Sequence, residues 1–326
     1  MIGNQVTIVG SPAPTPRHSD SGGNHVAILL CTFNGARHLM AQLASIAGQT
    51  YADWTLWISD DGSTDVTLQV IDRFRAAYPH VRVRLVNGPR AGFAANYMSL
   101  VSHGEINADY LAFCDQDDIW LPGRLAASVK ALNELDAGPA LYCARTQYID
   151  QNGRVVGESR PVPRECSFPR ALAHNVCGGN TMLFNRQTRE LMQRVPGVQV
   201  AAHDWLAYLL VTGAGGRVVY DPQTYVQYRQ HPGNAMGENR SIPAKWHRLK
   251  RLAAGDLRTW TDANLQALDH VADALTPANQ ATLARFRAAR SGAPWSRWWR
   301  LRTSGVQRDG RAANLAYRMA FAAGLV

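Results

Sequence analysis

From residue 25 onward, apolar runs of strand character alternate with stretches of helical spacing, and three of the first four runs end in a burst of polar residues. His25-Val26-Ala27-Ile28-Leu29-Leu30 is continuous and apolar, the pattern of a strand buried on both faces. Leu39, Leu43 and Ile46 then fall at helical spacing, residues 54–59 form a second strand, and Val66, Val70, Phe74 and Ala77 mark a second helix. Val81, Val83 and Leu85 alternate with Arg82 and Arg84, so the third strand is expected to have one wetter face. A short helix near 93–103 leads to a fourth strand at 110–114. This order predicts an α/β fold with a mostly parallel central sheet and helices on both faces. Strands near 140–149, 180–184, 217–220 and 224–229 follow in looser order, and from 244 the chain reads mainly helical.

In an open parallel sheet, ligands bind at the carboxyl ends of the strands. The polar bursts fall at those ends: Thr32-Phe33-Asn34-Gly35, Asp60-Asp61-Gly62-Ser63-Thr64-Asp65 and Asp115-Gln116-Asp117-Asp118. Carboxylates at the end of a buried strand are costly unless a cation neutralises them. An Asp-x-Asp pair there suits a hard divalent ion that also holds a diphosphate. The plainer alternative is a solvated acidic loop capping the next helix, a role for which Asp118 is placed. Asp60 and Asp61 have their own plain alternative, an Asx-turn capping the helix that starts near 65. The chain has no Gly-x-Gly-x-x-Gly and no Gly-Lys-Ser/Thr loop, which argues against a dinucleotide dehydrogenase and a P-loop NTPase.

Charge divides the chain. Residues 1–240 hold 20 Lys+Arg and 20 Asp+Glu, while residues 241–326 hold 14 and 5, so the whole net charge of +9 sits in the last segment. A neutral body with a basic extension argues against a nucleic-acid-binding body and suggests that the extension meets an anionic surface. Trp295-Ser-Arg-Trp-Trp-Arg-Leu-Arg302 interleaves Trp with Arg, as interfacial membrane-binding stretches do. The competing reading is a C-terminal helix that packs its Trp on the body. The five cysteines are scattered, and Cys31, Cys114 and Cys143 sit in strand-like runs, which fits a reducing compartment. Residues 1–24 are rich in Pro, Ser and Gly without an apolar signal core and are expected to be disordered. From these features the protein is expected in the cytoplasm, peripheral at the inner face of the membrane if the extension binds lipid. Three parts are expected: the N-terminal segment 1–24, a catalytic domain at 25–240, and a basic helical extension at 241–326.

The ordered motifs Ala27-Ile-Leu-Leu-Cys-Thr-Phe-Asn-Gly35, Gln49-Thr50, Ser59-Asp-Asp-Gly-Ser-Thr-Asp65 and Asp115-Gln-Asp-Asp-Ile-Trp-Leu-Pro122 resemble family 2 glycosyltransferases of the GT-A fold. Gly178-Gly-Asn-Thr-Met-Leu-Phe-Asn-Arg186, His203-Asp-Trp205 and Tyr228-Arg-Gln-His231 are similar to its bacterial rhamnosyltransferase-like members. The resemblance covers about residues 25–235 and does not reach the extension. It implies an inverting transferase that uses a nucleotide-diphosphate sugar, dTDP-rhamnose or a UDP-hexose, with Mg2+ or Mn2+ as cofactor. The implied acceptor is a cell-surface glycan or a lipid-linked glycan.

The resemblance also implies roles. Cys31, Thr32, Asn34, Asp60, Asp61 and Asp115 would form the nucleotide pocket, with Thr32 and Asp61 against the base. Asp117 would ligate the metal, and His231 would contact the metal or the diphosphate. Asp204 would be the base that deprotonates the acceptor hydroxyl; where many relatives have Glu-Asp, this chain has His203-Asp204. Gly178, Gly179, Asn180, His203, Trp205 and Arg229 would surround the sugar or acceptor. Two rivals stay open: a non-catalytic nucleotide-sugar-binding protein, and a nucleotidyltransferase, which would ordinarily need a Gly-rich, Lys/Arg-bearing phosphate loop that residues 26–40 lack.

Overall fold

The computed structural model describes residues 24–162, 165–196, 200–231 and 256–326. The segment before residue 24 and the expected boundary at 240 lie outside them. The first half follows the expected order: β1 (Val26–Thr32), α1 (Ala36–Ala47), β2 (Trp54–Asp60), α2 (Thr67–Ala77), β3 (Val83–Asn87), α3 (Phe93–Val101) and β4 (Tyr110–Cys114). Then come β5 (Ile119–Trp120), α4 (Arg124–Asn133), β6 (Ala140–Ile149), β7 (Val155–Glu158), α5 (Phe168–Ala171), β8 (Leu183–Asn185), α6 (Arg186–Gln193), α7 (His203–Gly213) and β9 (Arg217–Arg229). The extension supplies α8 (Asp256–Asp269), α9 (Pro277–Arg290), α10 (Pro294–Ser304) and α11 (Arg311–Ala322).

The sheet runs β3-β2-β1-β4-β8-β6-β9-β5, with β7 beside β6. Its long ladders are parallel, from Val26↔Trp54 to Thr32↔Asp60 between β1 and β2 and along most of β6 and β9. The antiparallel ladders, β4–β8, β8–β6, β5–β9 and β6–β7, span only two or three residue pairs each. The sheet is therefore mixed but largely parallel.

Every residue of β1 is buried, because helices cover both faces. Ala27, Leu29 and Cys31 enter one core with Leu111 and Phe113, while Val26, Ile28 and Leu30 enter the other with Ala112 and Cys114. That split is the period-2 alternation of a strand. The second core is closed by Leu39 and Leu43 of α1, Phe74 of α2 and Val129 of α4. The first is closed by Leu100 of α3, Met192 of α6 and Leu206 and Leu210 of α7. The extension joins this first core, where Leu265, Leu268, Phe286, Leu301 and Phe321 are all buried. The extension thus packs on the body through these aliphatic and Phe side chains, whereas Trp295 and Trp299 of the Trp/Arg stretch stay exposed.

Three sequence expectations differ in detail. The two late strands are one, β9, because the register shift at Ala144/Arg145 lets it continue past Pro222. The strand expected at 180–184 begins as a 3-10 turn, Gly179–Thr181, before β8. Asp118 does not cap a helix: the N-cap of α4 is Gly123, with no side-chain cap, and Asp118 is fully buried elsewhere.

Candidate active site

The carboxyl ends of β1, β2 and β4, the glycine turn 178–180 and the start of α7 enclose a cleft of about 860 Å3. Cys31, Thr32, Asp61, Asp115, Asp117, Gly178, Gly179, Asn180, His203 and Asp204 all line it. Residues spread over more than 170 positions are brought together because parallel strands deliver their ends to one edge.

Asp60 and Asp61 divide their work. Asp60 Oδ2 accepts from Gly62 N (3.2 Å) and Ser63 N (2.9 Å), closing the turn, and its Oδ1 accepts from the Thr32 hydroxyl at 2.9 Å. Asp61 faces the cleft while its oxygens accept from Arg90 N (2.6 Å) and Gly92 N (2.9 Å). It thereby ties the 88–92 loop to the pocket wall. Gly62 (φ +91°) and Gly92 (φ +88°) supply backbone angles that side chains resist. Asn34, at φ 47°, accepts from Thr64 N at 2.8 Å and joins the first loop to the second.

The acidic cluster is not a solvated loop. Asp115 takes a hydrogen bond from the Tyr97 hydroxyl (2.8 Å); burial first, and Asp117 next, raise its pKa to about 7. Asp118 accepts from Asn180 Nδ2 (2.6 Å) and Arg229 N (3.1 Å), and burial holds its pKa well above the usual carboxylate range. It locks the acidic loop to the glycine turn and to β9. Asp117 Oδ2 lies 2.7 Å from His231 Nε2. These two form part of the wall of a second cavity of about 260 Å3, which Asn34, His38 and Gln116 also line.

No group of three or more His, Cys, Asp or Glu side chains converges on one point among the described residues. The donor set fits a divalent ion only where substrate oxygens complete the shell, which is the habit of magnesium. A carboxylate and an imidazole already meet at Asp117 and His231, beside the open cleft.

Asp204 occupies the second position of α7. Its Oδ2 accepts from Gly179 N at 3.0 Å and its Oδ1 from Trp205 N at 2.7 Å, so its carboxylate is fixed in direction. Burial raises its pKa to about 6, against the lowering effect of those backbone N–H groups. His203 stacks on Tyr97 with ring centroids 3.8 Å apart, and burial lowers its pKa to about 3. It is therefore a neutral imidazole, and its buried ring nitrogens have no hydrogen-bond partner among the described residues.

Three of the residues expected at the site stand behind its wall. Asp60 is spent on the turn. Trp205 is buried with its Nε1 donating to Ala171 O at 2.7 Å. Arg229 is 4% exposed and donates to Asp117 O (2.9 Å) and Asp150 O (3.1 Å), bracing the acidic loop.

Sequence reasoning missed Tyr97, Arg90 and Arg124. Tyr97 was one more helix residue on an apolar face, and Arg90 a charge in an ordinary loop. Arg124 is buried, stands 3.5 Å from the Trp120 ring centroid and donates to Phe113 O, Asn180 O and Met182 O. It places a cation beneath the acids, and only the proximity of three carboxylates could have called for it.

Residues 27–196 match the model described as Glycosyl transferase family 2. The dTDP-rhamnosyl transferase RfbG of Shigella flexneri is 28% identical over 228 residues, 68% of this chain and 78% of that protein. The UDP-Glc:alpha-D-GlcNAc-diphosphoundecaprenol beta-1,3-glucosyltransferase WfgD of Escherichia coli is 25% identical over 49% of this chain and 60% of that protein. Among solved structures, the mannosyltransferase PcManGT of Pyrobaculum calidifontis, in complex with GDP-Man and Mn2+, superposes with a TM-score of 0.51. It is 19% identical, over 95% of this chain and 89% of that one. S. aureus TarS 1–349 in complex with UDP-GlcNAc has a TM-score of 0.53 at 13% identity, over 91% and 90%. These likenesses establish the GT-A fold.

Proposed function

The chain belongs to glycosyl transferase family 2 and is a glycosyltransferase, and from that premise we propose that it moves rhamnose, with inversion, from dTDP-rhamnose to a hydroxyl of a growing cell-surface glycan. The observation that carries this reading is that Asp204, an oriented, half-buried carboxylate, shares one cleft with Asp115 and Asp117.

In this reading the nucleobase lies against Cys31, Thr32 and Asp61. Asp61 already accepts two backbone N–H groups and keeps lone pairs for the imide N–H of thymine or uracil. Asn34 and Asp60 act by fixing the two loops. Asp115, held by Tyr97, meets the ribose. Asp117 and His231 would hold Mg2+ or Mn2+ together with the donor diphosphate; when bound, the ion offsets the charge that develops on the leaving group. Arg90, on the cleft wall, adds a cation toward the same diphosphate.

The acceptor oxygen attacks the anomeric carbon as the bond to the diphosphate breaks, and Asp204 receives the hydroxyl proton. One displacement inverts the anomeric configuration. Gly178 and Gly179 keep the acceptor side free of side chains, Asn180 holds Asp118, and the buried His203 ring, stacked on Tyr97, backs Asp204. Trp205 and Arg229 brace the wall.

The RfbG likeness supports the rhamnose donor, and the WfgD likeness supports a UDP-hexose as the second candidate and a lipid-linked diphosphate glycan as acceptor. A donor panel separates them: nucleotide release from dTDP-rhamnose, UDP-glucose and GDP-mannose, each with Mg2+, Mn2+ or a chelator. The expected result is metal-dependent release of dTDP. Preferential release of UDP would move the donor assignment, and binding without turnover over a broad acceptor panel would point to a non-catalytic protein.

A further inference from the structure

We propose that α10 and α11 form a docking face for an anionic lipid surface. The helix α10 turns Leu301 and Ser304 into the core and leaves Trp295 and Trp299, one turn apart, 76% and 62% exposed. Its neighbour α11 buries Tyr317, Ala320 and Phe321 and leaves Leu315 and Met319, again one turn apart, 52% and 61% exposed. Residues four apart lie on one helix face, so each helix presents an outward apolar pair. The two helices pack against each other. Large apolar side chains scattered singly on a surface need no explanation; two outward pairs on adjoining helices do.

Charge selects the occupant. Residues 291–326 contain six arginines and one acid, Asp309, for a net of 6 − 1 = +5. That one acid is already engaged by Arg170. Arg300, Arg302 and Arg311 on the same two helices are exposed, and the Arg302 guanidinium lies 5.4 Å from the Trp299 ring centroid. A second copy of this chain would bring the same cationic surface and be repelled. An anionic bilayer answers both features, with lipid phosphates for the arginines and the headgroup boundary for the tryptophans. No described helix is long and apolar enough to cross a membrane, so the contact lies in the interfacial plane.

None of these residues lines the catalytic cleft, so the face can be tested apart from turnover. The full chain is floated with vesicles of phosphatidylcholine alone or mixed with phosphatidylglycerol, at low and high salt. The expected result is flotation with the anionic vesicles only, weakened by salt. In the Trp295→Ala/Trp299→Ala variant, partitioning is expected to fall about tenfold or more, the scale of withdrawing a large aromatic group from an apolar layer. Hydrolysis of soluble donor and the circular dichroism spectrum of that variant should match the parent. A Leu315→Ser/Met319→Ser variant gives a second reading from the other helix. Equal flotation of parent and both variants, or no flotation of the parent, overturns the proposal. So does a dimer seen by light scattering that either variant converts to monomer, because a second copy would then be the occupant.

Discussion

Asp204 has been moved out of the ordinary carboxylate range by burial, while two backbone N–H groups still favour its ionised form. A base acts only when ionised, and with a pKa near 6 it is ionised above that value. Transfer is therefore expected to fall as the pH drops through about 6, and a rate that stays flat well below that point would count against Asp204. Asp204→Asn keeps the shape and removes the ionisable carboxylate. It should lower transfer by about 10²–10⁴-fold, the usual worth of general base catalysis, while donor affinity measured by calorimetry stays near that of the parent. His203 makes the complementary case. Because its ring is buried and makes no hydrogen bond among the described residues, His203→Phe should keep the stack on Tyr97 and leave the pH profile of transfer unmoved.

Elements explain why some of this was legible in the sequence and some was not. The strand β1 announces itself because a strand buried on both faces must be apolar throughout, and its polar end marks the site. The acidic cluster read correctly as expensive, but its division of labour did not. Asp118 looks like a cap in sequence and is instead a lock between Asn180 and β9, a fact that depends on residues 62 and 111 positions away. Arg124 was hidden for the same reason: its three carbonyl partners come from β4, the glycine turn and the residue that leads into β8. Arg124→Met should cost about 3 kcal/mol or more in urea unfolding, since it strands buried carbonyls and leaves the acids without their cation. The glycine turn gives a sharper test. A Cβ at Gly179 would stand 3.1 Å from both Asp204 Cβ and His203 Nε2, so Gly179→Ala should lower kcat while thermal stability changes little.

At the level of the entire molecule, the basic extension is no loose tail. Phe286, Leu301 and Phe321 share a core with Leu206 and Leu210 of α7, the helix whose first turn carries Asp204. Composition had exposed the charge asymmetry but could not tell inner from outer faces, because the Trp/Arg stretch serves both. A chain ending before residue 256 should aggregate or lose its cooperative unfolding transition, since it would expose the apolar back of α7. The proposed transfer requires a nucleotide sugar held beside Asp204. The most direct test is a single comparison of parent and Asp204→Asn with dTDP-rhamnose, a glycan acceptor and Mg2+ or Mn2+, recording donor binding and product together. Tight donor binding by both proteins, with an inverted glycosidic product from the parent alone, is the expected result. Near-normal product formation by Asp204→Asn would contradict it.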